Sequence, residues 1–219
     1  VKQTAFLSLA FPGANHSRFE HSIGAMFLAS KAWQKICTNQ KRLRKKLFFQ
    51  NMEDKREGIF FPELSSFEKN NYCYQALRLS ALFHDIGHTA LSHNGEVFLP
   101  CAKKFLREAK DVPGFLRSYI EGLLHKKNID DFQLRHEIYS IYILSFVLNE
   151  IYKTYGNDDE IVKIAPQDIA SILITEIEPK DKSDIKALGL QSIFNELVSS
   201  DLDVDRMDYL LRDSKQCGV

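Results

Sequence analysis

The sequence predicts an all-α helical bundle. Apolar residues recur mostly at three- and four-residue spacing, alternating β-branched runs are missing, and no hairpin turn signal joins two such runs. The first helix is expected over 17–38, entered through the turn Phe11-Pro12-Gly13-Ala14-Asn15, with Asn15 or Ser17 as its cap. A second over 74–91 carries Leu79, Ala81, Leu82 and Phe83 around the polar run that follows, and a third covers 93–110. Pro113-Gly114 breaks the chain before a helix over 114–127, and Gly156-Asn157-Asp158 closes one over 133–154. The same spacing continues over 166–177, 184–199 and 203–213.

Residues 41–72 interrupt this pattern. Lys41-Arg42-Leu43-Arg44-Lys45-Lys46 is followed by a mixed segment with Gly58, Pro62 and Ser65-Ser66, which reads as a basic insertion. It is either a solvated, partly helical face or an arm that touches phosphate, an acidic partner or a neighbouring subunit. With 219 residues and 44% hydrophobic content, the chain suits one domain, 1–219, burying roughly 70% of its unfolded surface. It begins at Val1 and stops at Val219 directly after a motif, so it is read as a fragment of a longer chain.

Lys+Arg and Asp+Glu balance at 29 each. No global charge draws the chain to nucleic acid or a membrane surface, and phosphate affinity has to come from a local site. Cys37, Cys73, Cys101 and Cys217 have no CxxC spacing, which fits thiols in a reducing cytoplasm better than a disulfide framework. No apolar stretch reaches membrane-spanning length and no leader pattern is visible.

The run His84-Asp85-Ile86-Gly87-His88 offers imidazole and carboxylate ligands at one point. On a continuous helix His84, Asp85 and His88 fall within one arc of about 100°. His93 would then point away unless the chain turns between Thr89 and Ser92. Arg18 lies three residues before His21, so the two project together. Glu96, three residues after His93, can fix the tautomer of that histidine, and His136-Glu137 opens another helix. Any one of these histidines alone would read as a packed core residue; five of them in register with two aspartates do not. On the last helix Asp205, Arg206, Tyr209, Arg212 and Asp213 form a polar stripe opposite Val204, Met207, Leu210 and Leu211. Asp208 and Arg212 read most simply as a structural i,i+4 pair, and His16 and His125 as structural or solvent-facing. The donor types suit a divalent ion (Mn, Fe, Mg or Zn) with positions left open for water and phosphate oxygen.

These segments together, Phe11 to Gly24, Leu82 to His88 with Ser92-His93, His136-Glu137 and Leu202 to Asp213, resemble the HD-domain phosphohydrolases of the deoxynucleoside triphosphate (dNTP) triphosphohydrolase branch. That group includes bacterial dNTPases and the vertebrate sterile-alpha-motif-and-HD-domain enzyme. The resemblance runs end to end and implies an HD-domain bundle that hydrolyses a dNTP to deoxynucleoside and inorganic triphosphate. It implies metal ligation by His21, His84, Asp85 and Asp205, and an α-phosphate contact from Arg18. It implies roles near the scissile bond for His88, His93, Glu96 and His136, and a triphosphate and sugar pocket lined by Gln3, Arg206, Tyr209 and Asp213. Homo-oligomers and an allosteric nucleotide belong to the same expectation; nucleic acid and membrane partners do not. An HD-type phosphodiesterase or nuclease acting on another nucleotide, or a nucleotide-sensing module with little turnover, is the alternative. The 41–72 segment looks longer than its counterpart in the family.

Overall fold

The computed structural model describes residues 1–49, 67–127, 131–156, 158 and 161–218. Among them the fold is all-α: α1 (Arg18–Phe49), α2 (Phe67–Phe83), α3 (Ala102–Glu108), α4 (Gly114–Lys127), α5 (His136–Tyr155), α6 (Pro166–Leu173), α7 (Asp184–Ala187), α8 (Gln191–Val198) and α9 (Val204–Cys217), with short 3-10 turns at Ala5–Leu9 and Ser92–Phe98. Two isolated β-bridges, Lys2 to Ser17 and Cys101 to Gln133, are the extended pairings present among these residues.

α2 occupies the centre, packing against α1, α5, α6, α7 and α8, while α9 lies along α1. Their shared core contains Leu77, Ile141, Leu144, Ile169, Ile172 and Phe194, each fully buried. Trp33 of α1 meets Phe194 of α8 edge to face at 5.2 Å between ring centroids. Burying each such side chain contributes about 1.5–3 kcal/mol before entropy is counted.

Several helix limits differ from the sequence expectation, each for a local reason. Ser17 caps α1: its Oγ accepts from Glu20 N at 3.2 Å, while Ser17 N donates to Glu20 Oε2 at 2.6 Å, a reciprocal capping box. α1 then continues past residue 38 to Phe49, so its backbone runs through the basic stretch. The rest of the segment read as an insertion, 50–66, lies outside the described residues. The expected helix over 93–110 divides at Pro100 into a 3-10 turn and α3. α6 stops at Leu173, where α8 takes up its free carbonyls: Gln191 Nε2 donates to Ser171 O at 3.1 Å and Asn195 Nδ2 to Ile172 O at 2.7 Å. The expected helix over 184–199 is two, split where Gly189 adopts φ of 62°, a left-handed conformation open to glycine.

The largest correction concerns the His-Asp run. It does not lie within a helix: α2 ends at Phe83, and residues 84–87 form a tight turn. α5 is the cause. Ser140 Oγ donates to His84 O at 2.7 Å and accepts from Gly87 N at 2.9 Å, taking both backbone groups out of the helical ladder. A Cβ on Gly87 would stand 2.2 Å from His136 O and 2.4 Å from Ser140 N, so only glycine allows this approach.

Candidate functional site

Four elements deliver the site: the start of α1, the turn after α2, the start of α5 and the start of α9. His21 is fully buried one turn into α1. His84 and Asp85 project from the turn after α2, and Asp205 from the first turn of α9. Asp203 caps that helix, its Oδ1 accepting from Arg206 N at 2.7 Å, which leaves Asp205 to the cavity.

The four converge. His21 Nε2 lies 2.9 Å from Asp205 Oδ1 and 3.4 Å from His84 Nε2. His84 Nε2 lies 3.4 Å from the same Asp205 oxygen and 3.5 Å from Asp85 Oδ1. Both imidazoles are engaged at their other nitrogen: His84 Nδ1 donates to Ala81 O at 2.8 Å and His21 Nδ1 to Asp208 Oδ2 at 2.9 Å. With Nδ1 carrying the proton, both Nε2 lone pairs face one point beside two carboxylates, the tautomer that a metal ligand needs. His21, His84 and Asp85 alone already bring their ligand atoms within 4.8 Å of one another. The donor set therefore fits a divalent ion.

The charges agree. Burial opposes protonation of His84, but Asp85 and Asp205 outweigh it and raise its pKa to about 9, so their field favours a positive charge at Nε2, whether a proton or a metal ion in its place. Burial would likewise lift Asp85, yet His84 and Arg18 hold it below the usual carboxylate range. Asp205, though partly buried, is held lower still by its bonds to His21 and His84. Arg18 Nη1 donates to Asp85 Oδ2, and Nη2 to Ser92 Oγ at 2.6 Å. This fixes a cation at the edge of the carboxylate cluster.

A second group adjoins the first through Asp85. His93 Nδ1 and His136 Nδ1 both donate to Glu96 Oε1, at 2.8 and 2.7 Å. His88 stacks on His136 with ring centroids 3.6 Å apart, and its Nε2 lies 3.4 Å from Asp85 Oδ1. Burial pushes His88 down to about 3, so it is neutral at physiological pH. His93 is the open member, with 73% of its side chain exposed.

Both groups line one cavity of about 530 Å³, together with Gln3, Arg206, Tyr209 and Asp213. Every site residue singled out in the sequence lines this cavity except His21, which is buried behind it, and Glu96, which holds two of its histidines. Gln3 Oε1 is buried and without a partner, while Arg206 sits at the rim, donating to Asp201 O at 3.2 Å.

Some residues carry more than the sequence reading gave them. Asp208 and Arg212 do pair, at 2.8 and 2.9 Å, but Asp208 also fixes the His21 ring. The available signal was its place one turn after Asp205, on the same side of α9. His16 is buried and bonds Asp213 Oδ1 through Nε2 at 2.6 Å. Ser92 and Glu137, which stood in the motif segments without a role of their own, line the cavity with Arg135, and Ser140 holds the turn behind it; no motif spacing announced Arg135 or Ser140. α9 turns its polar stripe inward against α1 and leaves Met207, Leu210 and Leu211 exposed.

No family model matches the chain. Among curated proteins it is 28% identical over 222 residues to the deoxynucleoside triphosphate triphosphohydrolase SAMHD1 homolog of Dictyostelium discoideum, covering all of this chain and 30% of that protein. It is 26% identical over 224 residues to the deoxynucleoside triphosphate triphosphohydrolase SAMHD1 of Bos taurus, covering all of this chain and 31% of that protein. An uncharacterized protein of Methanocaldococcus jannaschii is 29% identical over 205 residues, covering 91% of this chain and 37% of the relative. The chain spans about a third of the length of these relatives.

Proposed function

We propose that this cavity is the active centre of a metal-dependent phosphohydrolase of the dNTP triphosphohydrolase branch, which also includes bacterial enzymes, and that it splits a dNTP into deoxynucleoside and inorganic triphosphate. The observation that carries the reading is the pair of buried imidazoles with both Nδ1 atoms occupied and both Nε2 atoms turned to Asp205, beside an arginine fixed on Asp85. The triphosphohydrolase names of the Dictyostelium and Bos relatives support it further.

His21, His84, Asp85 and Asp205 would hold the ion, whether Mn, Fe, Mg or Zn. When bound, it supplies Lewis-acid polarisation of a phosphate oxygen and lowers the pKa of a water. Arg18 orients the α-phosphate and offsets the charge that grows on it. Arg206 and Tyr209, on the helix that carries Asp205, meet the outer phosphates, while Asp213 and Gln3 offer hydrogen bonds to the sugar. His93, exposed to the cavity and oriented by Glu96, gives a proton to the departing sugar oxygen. The reading includes a cytoplasmic setting, assembly with further copies and a possible regulatory nucleotide. Among the described residues, no helix is long and apolar enough to cross a membrane.

Phosphorus NMR of a dNTP digest with each divalent metal tests the reaction. Intact triphosphate appearing with free deoxynucleoside is the expected result. Monophosphate with pyrophosphate would favour a phosphodiesterase-like enzyme, and binding without product would favour a sensor.

A further inference from the structure

A second cavity backs onto the first. It encloses about 730 Å³ between the second half of α4, the connector 131–135, the start of α5 and the C-terminal ends of α6 and α8, within the ~300–1,000 Å³ of ordinary small-molecule sites. Arg135, Glu137, Leu173 and Ser199 line both cavities and form the partition between them. The two interiors differ in chemistry. The first gathers Arg18, His84, Asp85 and Asp205, whereas the second is walled mostly by apolar side chains, with Tyr119 and Phe132 supplying half-buried aromatic surface.

Its charges cancel. Lys126 and Arg135 are balanced in the lining by Glu137 and Glu176, and Arg135 Nη2 already donates to Glu137 Oε1. Among the described residues no surplus cation remains there to draw a phosphate. One polar atom of the partition is unsatisfied: Glu137 Oε2 is buried without a hydrogen-bond partner. The imidazole nitrogen His136 Nδ1 stands 3.5 Å from it but donates to Glu96 instead. A buried acceptor left in this state is costly, and an N–H arriving from the cavity would satisfy it. Burial and the nearby Glu176 carboxylate push the Tyr119 hydroxyl above its ordinary pKa, so its ring is an uncharged phenol.

We propose that this second cavity binds an uncharged nucleoside, with its base against Tyr119 and Phe132 and a base N–H on Glu137 Oε2. The lining sets the class: aromatic surface suits a planar ring, the orphan oxygen an amine, and the balanced charge a ligand without phosphate. The choice of a deoxynucleoside rests on the proposed reaction, which releases one. The cavity then holds product beside the centre that makes it.

Equilibrium dialysis of the metal-free full chain with 2′-deoxyadenosine tests this without turnover. One saturable equivalent is expected. Thr175→Trp, which fills the cavity from an exposed position, should abolish it, and Tyr119→Ala should weaken it about 5–100-fold, the range for losing one base–aromatic contact. Tyr209→Ala, in the first cavity, should leave it unchanged, and 2′-deoxyadenosine 5′-monophosphate should bind no more tightly. Circular dichroism checks that each variant is folded. No saturable binding, wild-type affinity in either folded cavity variant, or loss in Tyr209→Ala overturns the site, and tighter binding of the monophosphate overturns the uncharged class. Saturable binding that Thr175→Trp removes, in a chain that releases no triphosphate from any dNTP, leaves this site standing and rejects the proposed reaction.

Discussion

Asp208 is the most exposing place to perturb this site, because it touches neither cavity nor substrate and still determines how His21 is presented. Its Oδ2 accepts from His21 Nδ1 at 2.9 Å and from Arg212 Nε at 2.8 Å, and its Oδ1 from Arg212 Nη2 at 2.9 Å. Burial would raise its pKa, but Arg212 and His21 hold it below the usual carboxylate range. Asp208→Ala leaves the fully buried His21 N–H without an acceptor and frees the ring to rotate or change tautomer. Losing an orienting carboxylate of this kind costs about 10–100-fold in metal affinity, which is about 1.4–2.8 kcal/mol at 1.4 kcal/mol per decade. The metal-free protein should lose a further ~1–3 kcal/mol of stability for the unpaired buried donor. Asp208→Asn, which keeps an acceptor and gives up the charge, should fall between. Chelator competition reads the affinity and urea denaturation the stability. Wild-type affinity in Asp208→Ala would refute the argument that His21 is a ligand held by its Nδ1 bond.

Gly87→Ala should destabilise the fold by roughly 1–3 kcal/mol, as overpacking does, since its Cβ would meet α5 backbone at 2.2 and 2.4 Å; a wild-type urea midpoint would contradict the close approach. His93→Ala should slow turnover by ~10²–10⁴-fold while the ion on His21, His84, Asp85 and Asp205 remains, and undiminished kcat would remove it from the proton-transfer role. Buried tyrosines give the fold an alkaline limit: burial raises Tyr72 and Tyr152, and Tyr139 to about 12. Their folded values exceed the unfolded value of about 10, so their contribution is full below that pH and is lost as pH rises through the folded values. Absorbance titration should show tyrosinate forming later in the native chain than in denaturant, alongside a falling denaturation midpoint; coincident titrations would rule this out.

The limits of sequence reading here are physical and can be assigned to particular residues. Three- and four-residue spacing identified the helices because each buries an apolar stripe, and the donor residues were legible because imidazoles and carboxylates are rare in such stripes. The path of the chain through the donors was not legible. Angular positions on a continuous helix placed His84, Asp85 and His88 on one side, but Ser140, more than fifty residues away, ends that helix at Phe83 and makes the turn that presents them. Local periodicity carries no information about a partner supplied by another helix. Gly24 makes the same point for α9: a Cβ there would stand 1.8 Å from Asp208 Oδ1 and 2.5 Å from Arg212 Nη2. A glycine in mid-helix costs about 1 kcal/mol against alanine, and here it makes room for the Asp208–Arg212 pair to reach His21, one turn earlier on α1. In the sequence, Gly24 looked like part of a motif and Asp208–Arg212 like a structural i,i+4 pair within one helix. Only the packing of α1 on α9 joins them into a single support for the metal-facing nitrogen of His21.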